Sequence, residues 1–121
     1  MRMLWAFLAF LAAHWIADFV LQTHWQATNK SKRVDALAAH VTSYTVVMMV
    51  ASAALFGPFG LLFAAANGVL HFATDYVTSR WSAHFFAKQD WHNAFVVIGL
   101  DQLVHQATLA ATMWLFFGAR P

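Results

Sequence analysis

The chain has 121 residues, of which 61% are hydrophobic and 10% charged, with a formal charge of +2. That length fits one domain and not two, and so small a charged fraction makes a membrane protein the leading class. With no Cys at all, disulfides, thiolate ligands and thiol catalysis are excluded. The seven Lys and Arg are too few for a nucleic-acid surface, so no nucleic-acid partner is expected.

Four apolar segments follow one another, at residues 4–22, 37–56, 59–79 and 94–117. Each is near the ~20 residues needed to span a bilayer as a helix. The first begins like a secretory signal, but its apolar run continues through Ile16, Phe19, Val20 and Leu21, so a span is expected instead. It carries His14, Asp18 and Gln22, each four residues from the last and therefore on one helical face. A connection with Lys30, Lys32 and Arg33 leads to the second segment, which carries His40 and Tyr44. Gly57-Pro58-Phe59-Gly60 reads as a tight turn. The third segment repeats the first motif, with Asn67, His71 and Asp75 at the same spacing. A connection from Arg80 to Asn93 follows, holding Lys88, with Trp81 and Trp91 at its ends as interfacial anchors. The fourth segment carries the pair in reverse order, Asp101 then His105, and continues its face with Thr108 and Thr112.

The predicted fold is all-α, a four-helix transmembrane bundle forming a single integral membrane domain over residues 1–121. The first and third connections hold five Lys and Arg, and the other side holds Arg2 and Arg120. The positive-inside rule then puts the basic loops in the cytoplasm and both termini outside. Measured from Thr23 and Arg80 as helix edges, Asp18 and Asp75 lie about 7 Å deep, and His14 and His71 about 13 Å. From Asn93, Asp101 lies about 12 Å and His105 about 18 Å deep; from Ala36, His40 lies about 6 Å and Tyr44 about 12 Å deep. The reversed motif sits on a helix running the opposite way, so all three pairs turn their Asp toward one face. His14 to His71 and Asp18 to Asp75 are both 57 positions, the pattern of two related helical hairpins repeated about an axis along the membrane normal.

Ionisable groups in hydrocarbon are costly, by a few kcal/mol each on insertion scales. A divalent cation would relieve three converging carboxylates, and imidazole with carboxylate suits zinc, with iron or manganese as alternatives. The expected ligands are His14, Asp18, His71, Asp75, Asp101 and His105, with His40 as a seventh candidate. Gln22, Tyr44 and Asn67 are expected to support the ligands, and Asp101, His40 and Tyr44 are candidates for catalytic roles. One metal or two both fit, Asp18, Asp75 and Asp101 being available as bridges. Haem is not expected, since an Asp one turn from each His is a poor neighbour for a porphyrin.

The run His14-Trp-Ile-Ala-Asp18-Phe-Val-Leu-Gln22, with His40, His71-x-x-x-Asp75 and Asp101-Gln102-x-x-His105, resembles a family of small polytopic membrane proteins of bacteria and phages, known as a domain of unknown function. The resemblance implies a membrane location and brings no activity with it. A looser likeness is to inner-membrane proteins regarded as metal-dependent hydrolases, whose fuller motifs are absent. The leading functional reading is an intramembrane metal-binding protein acting as a metal-dependent hydrolase on a membrane-associated anionic or amphiphilic small molecule. Two alternatives stand beside it. One is a proton- or cation-translocating protein using the same Asp/His cluster; the other is a non-enzymatic phage membrane or assembly protein. The lipid bilayer is the expected partner, and a homo-oligomer is compatible with the sequence.

Overall fold

The computed structural model describes residues 1–118, which are helical over most of their length; Arg120, counted above for orientation, lies outside the described residues. Helix α1 (Arg2–Trp15) runs into a π-helical turn over Ile16–Val20. A short α2 (His24–Asn29) follows, then α3 (Val34–Phe56), α4 (Gly60–Ala87) and α5 (Trp91–Met113), the last extended by a π-helical turn over Trp114–Gly118. No strand occurs among the described residues.

Two connections differ from the sequence reading. The first is not simple loop. Thr23 caps α2 in a reciprocal box: its hydroxyl accepts from the Gln26 N–H at 3.2 Å, and Gln26 Oε1 accepts from the Thr23 N–H at 3.1 Å. The third connection shrinks to Lys88–Asp90, because α4 continues unbroken through Arg80 and Trp81 to Ala87. Nothing in Arg80–Ala87 stops a helix: the stretch has no Gly or Pro and makes good helical turns. The new helix begins at Asp90, whose carboxylate accepts from the Asn93 N–H at 3.2 Å and the Asn93 side-chain amide at 2.7 Å. Those two bonds hold the Asp90 carboxyl below its usual range.

Contacts between the long helices define their directions. His40 meets His71, Tyr44 stacks on His71, and Gly60 lies against Ser52, so α3 and α4 are antiparallel. Thr78 meets Asp101, Asp75 meets His105 and Asn67 meets Thr112, so α4 and α5 are antiparallel as well. The Asp18–His40 and His14–Tyr44 pairs set α1 antiparallel to α3, and His14 and Asp18 both reach Gln102 of α5. The four long helices therefore close an up-down-up-down bundle in which α1 and α4 run parallel on one diagonal. The turn between α3 and α4 depends on glycine twice. Gly57 takes φ +66°, and a Cβ on Gly60 would run into the Ser52 carbonyl.

The distribution of polarity is inverted relative to a soluble bundle. Buried along the axis are His14, Asp18, His40, Asn67, His71, Asp75 and His105, while Val69 is 71% and Trp114 70% exposed, with Trp5, Val50, Leu103 and Leu115 also outward. Three stretches, Arg2–Val20, Val34–Ala87 and Trp91–Gly118, are long and apolar enough to cross a membrane, and the middle one is folded back at Gly57 into α3 and α4. The end of the bundle near Gly57 is filled by phenylalanines. Phe56 stacks on Phe117 at 3.8 Å between centroids, and Phe10 packs on Phe63 at 4.8 Å.

Candidate metal centre

The polar residues of the four long helices meet at one level of the bundle. Its core is a group of four donors, Asp18, His40, His71 and Asp75, all buried and each offering an atom within 4.8 Å of the others. His40 Nε2 lies 3.0 Å from Asp18 Oδ1, 3.2 Å from His71 Nε2 and 3.4 Å from Asp75 Oδ2. His71 Nε2 lies 3.4 Å from Asp18 Oδ1 and 3.5 Å from Asp75 Oδ2. Zinc bonds of ~2.0–2.2 Å in a tetrahedron imply donor–donor edges of roughly 3.3–3.6 Å. The five edges are thus close to those of a four-coordinate site, a few tenths of an ångström tight at the shortest. The donor set is also chemically suitable: Asp18, Asp75 and Asp101 converge among imidazoles, Lys30 pairs with Asp75 alone, and carboxylate with imidazole is a donor mixture that divalent transition metals accept.

The local backbone explains how Asp18 arrives there. The π-helical turn closes through a Leu21 N–H to Ile16 carbonyl bond of 2.9 Å, and such single turns shift side-chain register within a helix. His40 Nδ1 and His71 Nδ1 are buried with no hydrogen-bond partner among the described residues. Nothing on that side fixes which ring nitrogen carries the proton. The tautomer is left to whatever faces Nε2, since a carboxylate takes an N–H and a cation takes the lone pair.

A second group, Asp18, Asp101 and His105, also offers one donor atom each within 4.8 Å. His105 Nε2 lies 3.0 Å from Asp75 Oδ1 and 3.3 Å from Asp101 Oδ1. Asp101 further accepts from the Thr78 hydroxyl.

His14, expected as a ligand, is in neither group: its Nε2 lies 3.6 Å from Asp18 Oδ2, and both ring nitrogens have nearer partners. The Gln102 amide donates to Asp18 Oδ2 at 2.9 Å and Asp101 Oδ2 at 3.0 Å, which fixes its orientation. Gln102 Oε1 therefore faces His14 Nε2 at 3.0 Å as acceptor, so that nitrogen carries the proton. His14 Nδ1 is then left to accept from the Tyr44 hydroxyl at 3.3 Å. Tyr44 is buried and stacks on His71 at 3.9 Å, the place of a supporting residue. Asn67 supports something else. Its amide donates to the Phe63 carbonyl and to Thr112 Oγ1, both at 2.9 Å, tying α4 to α5 on the side toward the phenylalanines.

A cleft of about 240 Å³ leads to the donors from the end away from the phenylalanines. It is lined by Asp18, Asp75 and Asp101, by the polar Gln22, Lys30, Ser31, Ser79 and Ser82, and by the apolar Phe19, Phe86 and Ile98. Gln22 Oε1 and Ser79 Oγ are buried without a hydrogen-bond partner among the described residues. Of the three catalytic candidates only Asp101, 13% exposed at its side chain, lines the cleft; His40 and Tyr44 do not. Lys30, which in the sequence reads chiefly as one of the basic residues that set topology, comes to the site itself: its Nζ reaches Asp75 Oδ2 at 2.8 Å. The neighbouring cations turn away, Arg33 to Asp35 at 2.7 Å and Arg80 back over the Tyr76 ring at 3.8 Å. His24, His84 and His92 are exposed, as ordinary surface histidines are.

No curated protein and no solved structure matches the chain. A family model described as a protein of unknown function (DUF3307) matches residues 6–120, and the chain belongs to that family.

Proposed function

We propose that this chain is a multi-pass protein of the bacterial inner membrane that holds a divalent metal at the bundle axis and uses it to hydrolyse a membrane-associated anionic substrate. The observation that carries the reading is the set of edges among Asp18, His40, His71 and Asp75, five distances from 3.0 to 3.5 Å between atoms from three helices. Donors buried in an apolar bundle at those separations are arranged for a cation. Imidazole with carboxylate favours zinc, and iron or manganese accept the same donors.

Membrane insertion is supported by the outward Trp, Leu and Val side chains, which only a lipid solvent would favour so uniformly. The cleft supports the substrate class. Lys30 offers a cation beside the donors, the serines and Gln22 offer hydrogen bonds, and Phe19, Phe86 and Ile98 suit an acyl chain. A bound metal would supply an activated water there; the protein's own residues would orient the anion and shield it from lipid. Translocation of protons or cations needs a polar path to the far face, and the Phe10, Phe56, Phe63 and Phe117 packing offers none. An assembly subunit would have no use for a buried donor cluster with an open cleft.

The test is elemental analysis of the full chain purified in detergent. Near-stoichiometric or higher zinc, iron or manganese is expected, lowered in His71→Ala and lost in the Asp18→Ala/Asp75→Ala double variant with helix content retained. Hydrolysis of anionic lipids in mixed micelles should stop on chelation and return with the metal. Lys30→Met should keep the metal and raise KM. Wild-type protein that folds and takes up no metal would overturn the reading.

A further inference from the structure

The four-donor group uses only half of the carboxylate oxygens that Asp18 and Asp75 bring to the axis. Asp18 turns Oδ1 toward His40 and His71, and Oδ2 toward Gln102. Asp75 turns Oδ2 toward the same two histidines, and Oδ1 toward His105. Asp75 therefore faces both donor groups, one oxygen to each, and Asp18 lies within reach of both, with Oδ2 steadied by the Gln102 amide. Asp18 belongs to both groups by proximity, and Asp75 is 3.0 Å from the histidine of the second.

We propose that the centre is dinuclear: Asp18 and Asp75 bridge two divalent cations, His40 and His71 complete the first position, and Asp101 and His105 complete the second. The inference rests on the metal-binding reading above and deepens it. Two further features support it. His71 and His105 stack with centroids 4.1 Å apart and planes 14° from parallel, each presenting Nε2 to its own group. Parallel ligand rings at that separation fit metals ~3.5–4 Å apart, the spacing of two-metal sites. Asp101 is also held for the role, with Thr78 and Gln102 donating to its two oxygens and fixing the carboxylate's plane. The two positions differ in access. Asp101 lines the cleft and His40 does not, so the second cation would be the one nearer an incoming anion.

Lys30 does not block the arrangement. Its ammonium takes one lone pair of Asp75 Oδ2, and a carboxylate oxygen has another to offer.

Titration of Mn²⁺ into metal-stripped full-length protein in detergent, followed by electron paramagnetic resonance, tests the proposal. Wild type is expected to take two Mn²⁺ per chain and to give an exchange-coupled spectrum. His105→Ala and the near-isosteric Asp101→Asn should each drop to one Mn²⁺ per chain with an isolated six-line signal, at unchanged helix content. One Mn²⁺ per chain in wild type, or two without coupling, overturns the dinuclear centre and leaves the single-metal reading standing. Two coupled ions persisting in both variants overturns the assignment of Asp101 and His105. No binding of Mn²⁺ or zinc by folded protein overturns both readings together.

Discussion

His14 and His71 hold the same place in their motifs, yet their rings are differently engaged. His71 points Nε2 into the donor group, with Nδ1 unpartnered among the described residues. His14 gives its proton to Gln102 and its lone pair to Tyr44. His14→Ala should accordingly weaken metal affinity about 10- to 100-fold, the usual effect of losing a group that orients ligands. His71→Ala should abolish binding at the position built by Asp18, His40, His71 and Asp75. Isothermal titration of both variants with zinc checks this, and equal loss in the two would return His14 to the ligand set. The motifs made Asp18, His71, Asp75, Asp101 and His105 legible in the sequence, because four-residue spacing in an apolar helix leaves few other reasons for a charge. Gln102 and Lys30 were not legible in the same way. Adjacent helix positions diverge by about 100°, so Gln102 faces α1 while its neighbour Asp101 faces α4, and periodicity along one face misses it. Lys30 sits on a connection, where a cation reads as topology until the fold bends it onto Asp75.

At the level of elements, segment existence, order and most boundaries were readable from hydropathy, and the end of the third segment was not. The third segment was expected to end at residue 79, where apolar residues thin out, but α4 runs to Ala87. Thinning hydropathy marks an apolar surface ending, and a helix ends only where capping or breaking residues stop it. The π-helical turn at Ile16–Val20 was invisible for a related reason: no Pro or Gly announces it. The parallel diagonal of α1 and α4 is the relation that two repeated hairpins would give, with His14/Asp18 and His71/Asp75 facing one another across the axis. The hairpin of α3 and α4 depends on close backbone approach at Gly60, where a Cβ meets the Ser52 carbonyl and no flexible side chain can yield. Gly60→Ala should cost about 1–3 kcal/mol, in the range of overpacked sites. It would be measured as a lower thermal midpoint in detergent, with metal stoichiometry kept if the donors remain aligned. An unchanged midpoint would mean the helices separate there at little cost.

For the molecule as a whole, the two ends of the bundle are unlike. One end holds the cleft, α2 and the cations Lys30, Lys32 and Arg33; the other holds the Gly57 turn and the phenylalanine packing. In the orientation proposed above, set by the positive-inside count of short basic connections, the cleft end faces the cytoplasm. Lengthening α4 does not change that count, since Arg80 and Lys88 stay at the cleft end whether they are in loop or helix. A site open only to the cytoplasm would draw substrate from the inner leaflet. The chain's lack of cysteine makes the orientation directly measurable with single introduced thiols. Thr28→Cys sits on exposed α2, and Pro58→Cys on the exposed turn between α3 and α4. With a membrane-impermeant maleimide, Pro58→Cys should label in spheroplasts, and Thr28→Cys only after the membrane is opened or in inverted vesicles. The opposite pattern would place the cleft outside and make outer-leaflet or periplasmic anions its substrates. Labelling of both thiols in intact spheroplasts would mean that the bundle does not separate two compartments at all, and membrane insertion itself would fall.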